Sequence, residues 1–401
     1  MRKPKARGGG GIVKSVAVIG ASLAGLQAAR ALRAQGYDGR LDLIGDEVHR
    51  PYARPPLSTT FLSGEVGLDD LRLERDGDLA ANWMLGTAAA SLDTRARQVV
   101  LADGRRVAVD GVVVATGARA RLLAGATAGA GVHVLRTVDD ALALRAELRP
   151  GARLVVVGAG LIGGEVASTA RSLGCEVTII EERATPLAGP LGTTMGALVA
   201  ELHAQNDVRV LCGVGVAELV VRGRVEAVRL VDGSEYPADV VVVGIGAAPN
   251  VDWLAGSRVA LGDGVLCDER GRTTMPGVVA VGDCASWHDA RRGRSHRDEH
   301  WTGALERPAV AAGALLAGAG RPAVLPAATP YFWTDQYGVR IELAGHASDA
   351  DSVQVEEGSP AGRDLLAVYR RAGDPVAVLG MNRGRQIDSW RRQLDEESVP
   401  A

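Results

Sequence analysis

Two phrases constrain this chain more than any other feature: VVVGAGLIGGE at residues 155–165, and its echo VAVIGASLAGL at 16–26. Each is an apolar run that ends in a glycine turn and continues as a helical pattern. The first glycine of such a turn permits the tight strand-to-helix reversal. The second position lets the backbone approach a pyrophosphate, and the third allows the helix to pack close to the strand. Gly158, Gly160 and Gly163 meet all three requirements. In the earlier phrase Gly20 and Gly25 hold the outer positions, and Ser22 takes the middle one, small enough for the same approach and carrying a hydroxyl. Phosphates bound there would sit at a helix N-terminus, where unpaired N–H groups and the helix dipole favour negative charge. GASLAG is one residue too long after Ser22 for the G-x-S-x-G nucleophile elbow, so a hydrolase is not indicated.

Each phrase sits in a β-α-β pattern. Residues 15–45 read as a strand, a helix LAGLQAARALRAQG stopping at Gly36, and a strand; residues 153–182 repeat the plan, with the helix stopping at Gly174. Each unit should end in an acid for the ribose hydroxyls of an adenosine. The first offers Asp46 and Glu47, and the second Glu181, followed by Glu182 and Arg183. A carboxylate at Glu181 would repel the extra phosphate of NADP, which favours NADH. After the first unit a hairpin turns at Asp103-Gly104, followed by a strand ending at Ala115-Thr116-Gly117. VEAVRLVDGSEYPADVVVVGIGAAPN repeats that order after the second, a weak internal duplication. From about Pro322 the texture changes to shorter alternating strands, which predicts a third, smaller α+β domain.

A chain of 401 residues exceeds one hydrophobic core, and 47% hydrophobic with 23% charged residues is ordinary for a folded protein. A net charge of −3 gives no reason to expect nucleic acid. No apolar run is long enough for a membrane helix, and the basic opening MRKPKARGGGG lacks the apolar core of a signal peptide, so a cytoplasmic location is expected. Cys175, Cys212, Cys267 and Cys284 form no C-x-x-C or C-x-x-x-x-C pair. No neighbouring dithiol is therefore available, any redox chemistry must pass electrons outward, and all four read as buried reduced thiols. In VVAVGDCA at 278–285, Gly282 and Asp283 read equally as a turn after a strand or as a partner for a polyol chain such as the ribityl of FAD.

Taken together, GASLAGLQAARALR, PYARPPLS, ATGAR, VVVGAGLIGGEVA, VVVGIGAAPN, VAVGDCA, DEHWTGA and PYFWTDQYGVRIELAG resemble the FAD-dependent, NADH-using ferredoxin reductases of bacterial oxygenase systems, the putidaredoxin, rubredoxin and biphenyl-dioxygenase type. The resemblance runs from about Val16 to about Arg392. It implies an α/β, glutathione-reductase-like fold with two Rossmann-type domains and a small C-terminal α+β domain. The implied bounds are 12–118 and 246–326 for a split FAD-binding domain, 119–245 for an NAD-binding domain and 327–401 for the C-terminal domain. It further implies that Gly20, Ser22, Gly25, Asp46 or Glu47, Arg54, Ala115, Thr116, Gly117, Arg119, Gly282, Asp283 and Trp301 contact FAD. Gly158, Gly160, Leu161, Ile162, Gly163 and Glu181 would contact NAD, and Gly246 is a further cofactor-binding residue. Trp333 matches an aromatic that faces the flavin in several relatives, although as a tryptophan it reads equally as core. Where the family carries a lysine after RPPLS, often paired with the glutamate at position 165, this chain has Thr59. Glu165 without a cation should have a raised pKa or find another donor, with altered hydride transfer or reoxidation.

HRDEH at 296–300 offers His296, Glu299 and His300, a metal grip if helical, but the order is wrong for a zinc motif and no third ligand follows, so no metal is expected. The run ARRGRSHR holds Arg291, Arg292, Arg294 and Arg297; a solvated loop is the default reading and a docking patch for an acidic ferredoxin the functional one, with Arg383 and Arg385 as further candidates. The implied reaction passes electrons from NADH through FAD to a ferredoxin-type iron–sulfur protein, in a monomer or weak dimer. A flavin enzyme reducing oxygen or a quinone, and a weakly active NADH-sensing flavoprotein, are the alternatives.

Overall fold

The computed structural model describes residues 13–74, 77, 79–290, 292–317 and 329–396. The chain divides into two compact units: residues 1–52, 72–118 and 249–325 form one, and 53–71, 119–248 and 326–401 the other.

In the first unit five parallel strands lie in the order Val278–Ala280, Gly111–Val114, Ser15–Ile19, Arg40–Ile44 and Asn82–Met84. The strands SVAVI and GVVV are apolar almost throughout because they are buried on both faces, in one core with the helices of this unit and with Leu92, Val99 and Leu101 of an antiparallel sheet. The first glycine helix, Leu23–Ala34, buries Leu23, Leu26, Ala28, Ala29 and Leu32 against this sheet. Gly36 adopts a φ of 86°, the left-handed stop expected after its last turn. The 17-residue helix Trp301–Ala317 lies beside it in the same core. A three-stranded antiparallel sheet follows the order Ala89–Asp93, Gln98–Leu101, Arg106–Ala108, with the hairpin turning through Gly104 at φ 87° as expected.

The second unit repeats the plan. Its parallel sheet runs Arg209–Cys212, Glu176–Glu181, Arg153–Val157, Val240–Val243 and Val132–His133. The second glycine helix spans Leu161–Ser172 and buries Gly163, Gly164, Glu165, Val166, Ala167, Thr169 and Ala170. The third element of the sequence reading is a five-stranded antiparallel sheet in the order Tyr331–Gln336, Val339–Gly345, Asp374–Met381, Asp364–Arg371, Ser352–Ser359, with the helix Gly384–Glu396 on one face. Its other face joins Phe332, Val339 and Ile341 to Leu187, Leu191, Met195, Val199 and Leu202, one continuous apolar core. The helix 188–204 and the C-terminal sheet are thereby fixed to each other, since separating them would expose that whole surface. Among the described residues no helix is long and apolar enough to cross a membrane.

Candidate functional site

The first turn is built by backbone proximity. Gly20 has a φ of +111°, and a Cβ there would lie 2.0 Å from the carbonyl oxygen of Ala115. A Cβ at Gly25 would lie 1.8 Å from the carbonyl of Gly20, so only glycine lets the helix start against its own turn. The same closeness gathers the other sequence candidates of this unit. Gly45 packs on Ala21, bringing Asp46 and Glu47 to the turn, and Gly282 packs on Ala24, bringing Asp283 there. Asp46 is exposed, whereas the Glu47 carboxylate accepts a hydrogen bond from Tyr52. The Ala115-Thr116-Gly117 turn is held by Asn250, a residue of the GIGAAPN phrase that no local pattern marks. The Asn250 amide Nδ2 donates to the Thr116 carbonyl at 3.1 Å, its N–H donates to the Gly117 carbonyl at 2.9 Å, and Thr116 Oγ1 donates to the Asn250 carbonyl at 2.6 Å. Trp301 is half-buried at the start of the helix beside the first glycine helix. FAD suits this cradle: Gly20 and Gly25 leave no room for side chains at the turn, a helix N-terminus follows it, and carboxylates flank it.

The second turn has the same construction. Gly158, at φ +99°, would place a Cβ 2.4 Å from the Gly244 carbonyl, and Gly163 would place one 2.0 Å from the Gly158 carbonyl. Gly160 differs, because no atom of the described residues lies within 4 Å of where its Cβ would be. That open space lies at the N-cap of the second glycine helix, where a glycine can supply no capping side chain and a phosphate can take its place. Glu181 at the strand end accepts from the Ala159 N–H at 2.7 Å and the Arg183 N–H at 2.8 Å, which aims its carboxylate at the turn. Gly246, Ile245 and Ile162 are exposed around it, and Leu161 is half-buried.

Glu165 lies one helical turn beyond, 8% exposed. Among the described residues no lysine or arginine bonds to it; Ser58 Oγ donates to its Oε2 at 2.5 Å and the Asp335 N–H to its Oε1 at 3.1 Å. Burial pushes its pKa up, opposed by these bonds and by the Thr334 hydroxyl. Sequence alone missed Ser58, whose partner stands 107 positions away. Thr59, half-buried, ends the short helical turn Pro55–Ser58. Arg54 belongs to this unit, where its Nη1 donates to the Arg136 carbonyl at 2.7 Å, and Arg119 lies on its surface. Trp333 is half-buried on the C-terminal sheet, with the Arg340 guanidinium 5.2 Å from its ring centroid and Tyr331 beside it.

Cys212 is half-buried, unlike the other three cysteines, because its strand lies at the edge of the sheet. The HRDEH segment is not helical: His296 lies on the strand Arg294–Arg297 and bonds Asp298 at 3.1 Å, and Asp298 also takes Arg307 at 2.7 Å. In the arginine run, Arg297 is largely buried between Asp263 and Glu299, Arg292 faces Asp289, Arg294 is exposed, and Arg291 lies outside the described residues.

Residues 14–311 match the pyridine nucleotide-disulphide oxidoreductase family, and 331–401 match the reductase C-terminal family. The chain is 38% identical over 379 residues to a biphenyl dioxygenase system ferredoxin–NAD(+) reductase component from Paraburkholderia xenovorans (strain LB400), covering 94% of this chain and 92% of that one. It is 34% identical to a putidaredoxin reductase of Pseudomonas putida, covering 96% and 95%. The chain belongs to the ferredoxin–NAD(+) reductase family. A solved covalent putidaredoxin reductase–putidaredoxin complex superposes on this reductase with a TM-score of 0.89 at 32% identity, covering 96% of this chain and 93% of that one. This reductase is accordingly an oxidoreductase of glutathione-reductase-like fold that uses FAD and a pyridine nucleotide.

Proposed function

We propose that this reductase passes electrons from NADH through FAD to a ferredoxin-type iron–sulfur protein that serves an oxygenase. The observation that carries the reading is the pair of glycine turns, each built in its own parallel sheet and each flanked by a carboxylate, in a chain with no C-x-x-C or C-x-x-x-x-C pair and four free cysteines. Two dinucleotide sites without a dithiol leave electrons to depart to an external acceptor.

In this reading 12–118 and 246–326 hold FAD, 119–245 hold NAD(H), and 327–401 form the C-terminal domain. FAD, when bound, converts a two-electron hydride into single electrons. The protein's share is binding and orientation. Gly20, Ser22 and Gly25 shape the turn that receives one pyrophosphate at the helix N-terminus, with Asp46 or Glu47 for the ribose, and Gly158, Gly160 and Gly163 do the same for the other. Asp283, set beside the first helix by Gly282, is placed to accept from a polyol. NADH is the preferred donor, because the Glu181 carboxylate, fixed by two N–H groups, opposes a 2′-phosphate. Among the described residues of the arginine cluster, Arg294 is the exposed one and would attract an acidic partner.

The test is the visible spectrum of the purified protein and its anaerobic titration with NADH and NADPH. Yellow protein bleached by NADH, and reduction of cytochrome c that depends on added ferredoxin, are expected. Glu181→Ala should raise the NADPH/NADH ratio of kcat/KM by about tenfold, or about 1.4 kcal/mol. Fast reduction of oxygen or quinone without ferredoxin would overturn the acceptor, and colourless protein would overturn the whole reading.

A further inference from the structure

The second unit encloses a polar node that the glycine turns do not use. Glu165, Ser58, Thr169, Thr334 and Gln336 are all buried, between the second glycine helix, the 55–58 turn and the strand Tyr331–Gln336. Thr169 Oγ1 donates to the Ser58 carbonyl at 2.7 Å, which fixes the backbone of that turn on the helix. Gln336 Nε2 donates to Thr334 Oγ1 at 3.1 Å. Ser58 Oγ has one hydrogen and two acceptors in reach: Glu165 Oε2 at 2.5 Å and the Pro55 carbonyl at 3.3 Å.

That geometry satisfies both protonation states of the carboxyl. When Glu165 is ionised, Ser58 donates to it. When Glu165 carries a proton, its O–H donates to Ser58 Oγ, and the serine hydrogen turns to the Pro55 carbonyl. Neither state strands a buried polar atom of the pair, which is the usual penalty for titrating a buried acid. A lysine partner has no such freedom, because an ammonium only donates.

Charged groups on the elements packed around this helix are engaged elsewhere. Arg153 pairs with Asp239 and stands near Glu176, Arg171 pairs with Asp207, and Arg54 donates to the Arg136 carbonyl. Glu181 takes two N–H groups at the turn, and the Asp335 carboxylate, paired with Arg340, disfavours a second negative charge at Glu165.

We propose that Glu165 and Ser58 form a two-position proton relay, Glu165 taking up and returning one proton while Ser58, a positioning residue, reverses from donor to acceptor. Its use rests on the electron-transfer reading above. NADH and two oxidised one-electron iron–sulfur acceptors become NAD+, H+ and two reduced acceptors, so each turnover frees one proton. The relay gives that proton a buried place to go, with water as its final acceptor.

The experiment is infrared spectroscopy of the FAD-loaded full chain, titrated from about pH 5 to about pH 9, following the carbonyl band of a protonated carboxylic acid. The wild type should show a band that disappears with a midpoint above the ordinary glutamate range and is missing in Glu165→Gln. Ser58→Ala removes the donor to the ionised form, so its midpoint should rise by about one unit, a tenfold change in proton affinity. The sign for stability follows from the raised folded pKa: the contribution of Glu165 is present below its unfolded pKa and is lost as pH rises through the folded one. Glu165→Gln should remove that loss in urea unfolding. A band that survives in Glu165→Gln, a wild-type midpoint in the ordinary range, or an unchanged midpoint in Ser58→Ala would each overturn the relay. NADH bleaching and ferredoxin-dependent cytochrome reduction, run on the same wild-type samples, separate the two failures: the relay can fall with both intact, and their loss would count against the electron-transfer reading.

Discussion

Gly163→Ala separates the two dinucleotide sites. The added Cβ would lie 2.0 Å from the Gly158 carbonyl, with Val156 Cγ1 at 3.2 Å. Contacts under 3.0 Å essentially do not occur, so the helix start must retreat from the strand end by about 1 Å (3.0 − 2.0). The nearest obstacle is a backbone carbonyl, which has no rotamer to yield. A displacement of that size at a binding group costs about 10²-fold, or about 2.7 kcal/mol, in kcat/KM for NADH. The first turn stays intact, so the protein should purify yellow with a full complement of FAD. Gly25→Ala is the mirror experiment: its Cβ would lie 1.8 Å from the Gly20 carbonyl, and it should purify colourless. FAD content is read by absorbance, kcat/KM by steady-state kinetics, and folding by circular dichroism. A Gly163→Ala protein that loses FAD, or one that uses NADH as the wild type does, would refute the assignment of the second turn to the nicotinamide dinucleotide.

Two further outcomes follow from the same structure. His203, buried against the Tyr337 hydroxyl at 2.7 Å, is held neutral by burial, its pKa lowered from 6.5 to about 4. The unfolded chain therefore binds the extra proton first, and the His203 contribution is present above pH 6.5 and lost as pH falls to about 4. That amounts to about 3 kcal/mol relative to His203→Gln, measured by urea unfolding at neutral and acid pH; parallel pH profiles of the two proteins would refute it. Thr59→Lys restores a cation next to Ser58 and should change the rate of flavin reduction by NADH in stopped flow; an identical rate would remove Thr59 from any part in hydride transfer.

Much of the site is legible along the chain because its causes are local. A glycine turn, its helix and the acid at the next strand end all lie within about thirty residues, and each part carries its own periodicity or conformational demand. Gly25 and Gly163 are dictated by the carbonyl of the glycine that opens their own turn, and Gly20 and Gly158 by a carbonyl at the end of the neighbouring strand. Resemblance extended that reading to Glu165 and to the missing lysine at Thr59. What replaced the cation did not follow from it. Ser58 meets Glu165 across 107 residues, and Asn250 locks Thr116 across 134; no local pattern marks either residue. The arginine run shows the same divide: four like charges in eight residues read as one surface, whereas tertiary packing buries Arg297 between two acids and leaves Arg294 exposed. By itself the sequence determined the two nucleotide folds and their chemistry, since short-range backbone sterics and hydrophobic period decide those. Tertiary structure alone decided which donor a buried carboxylate receives and which charges face water, because desolvation depends on what the fold brings near and not on what the chain holds adjacent.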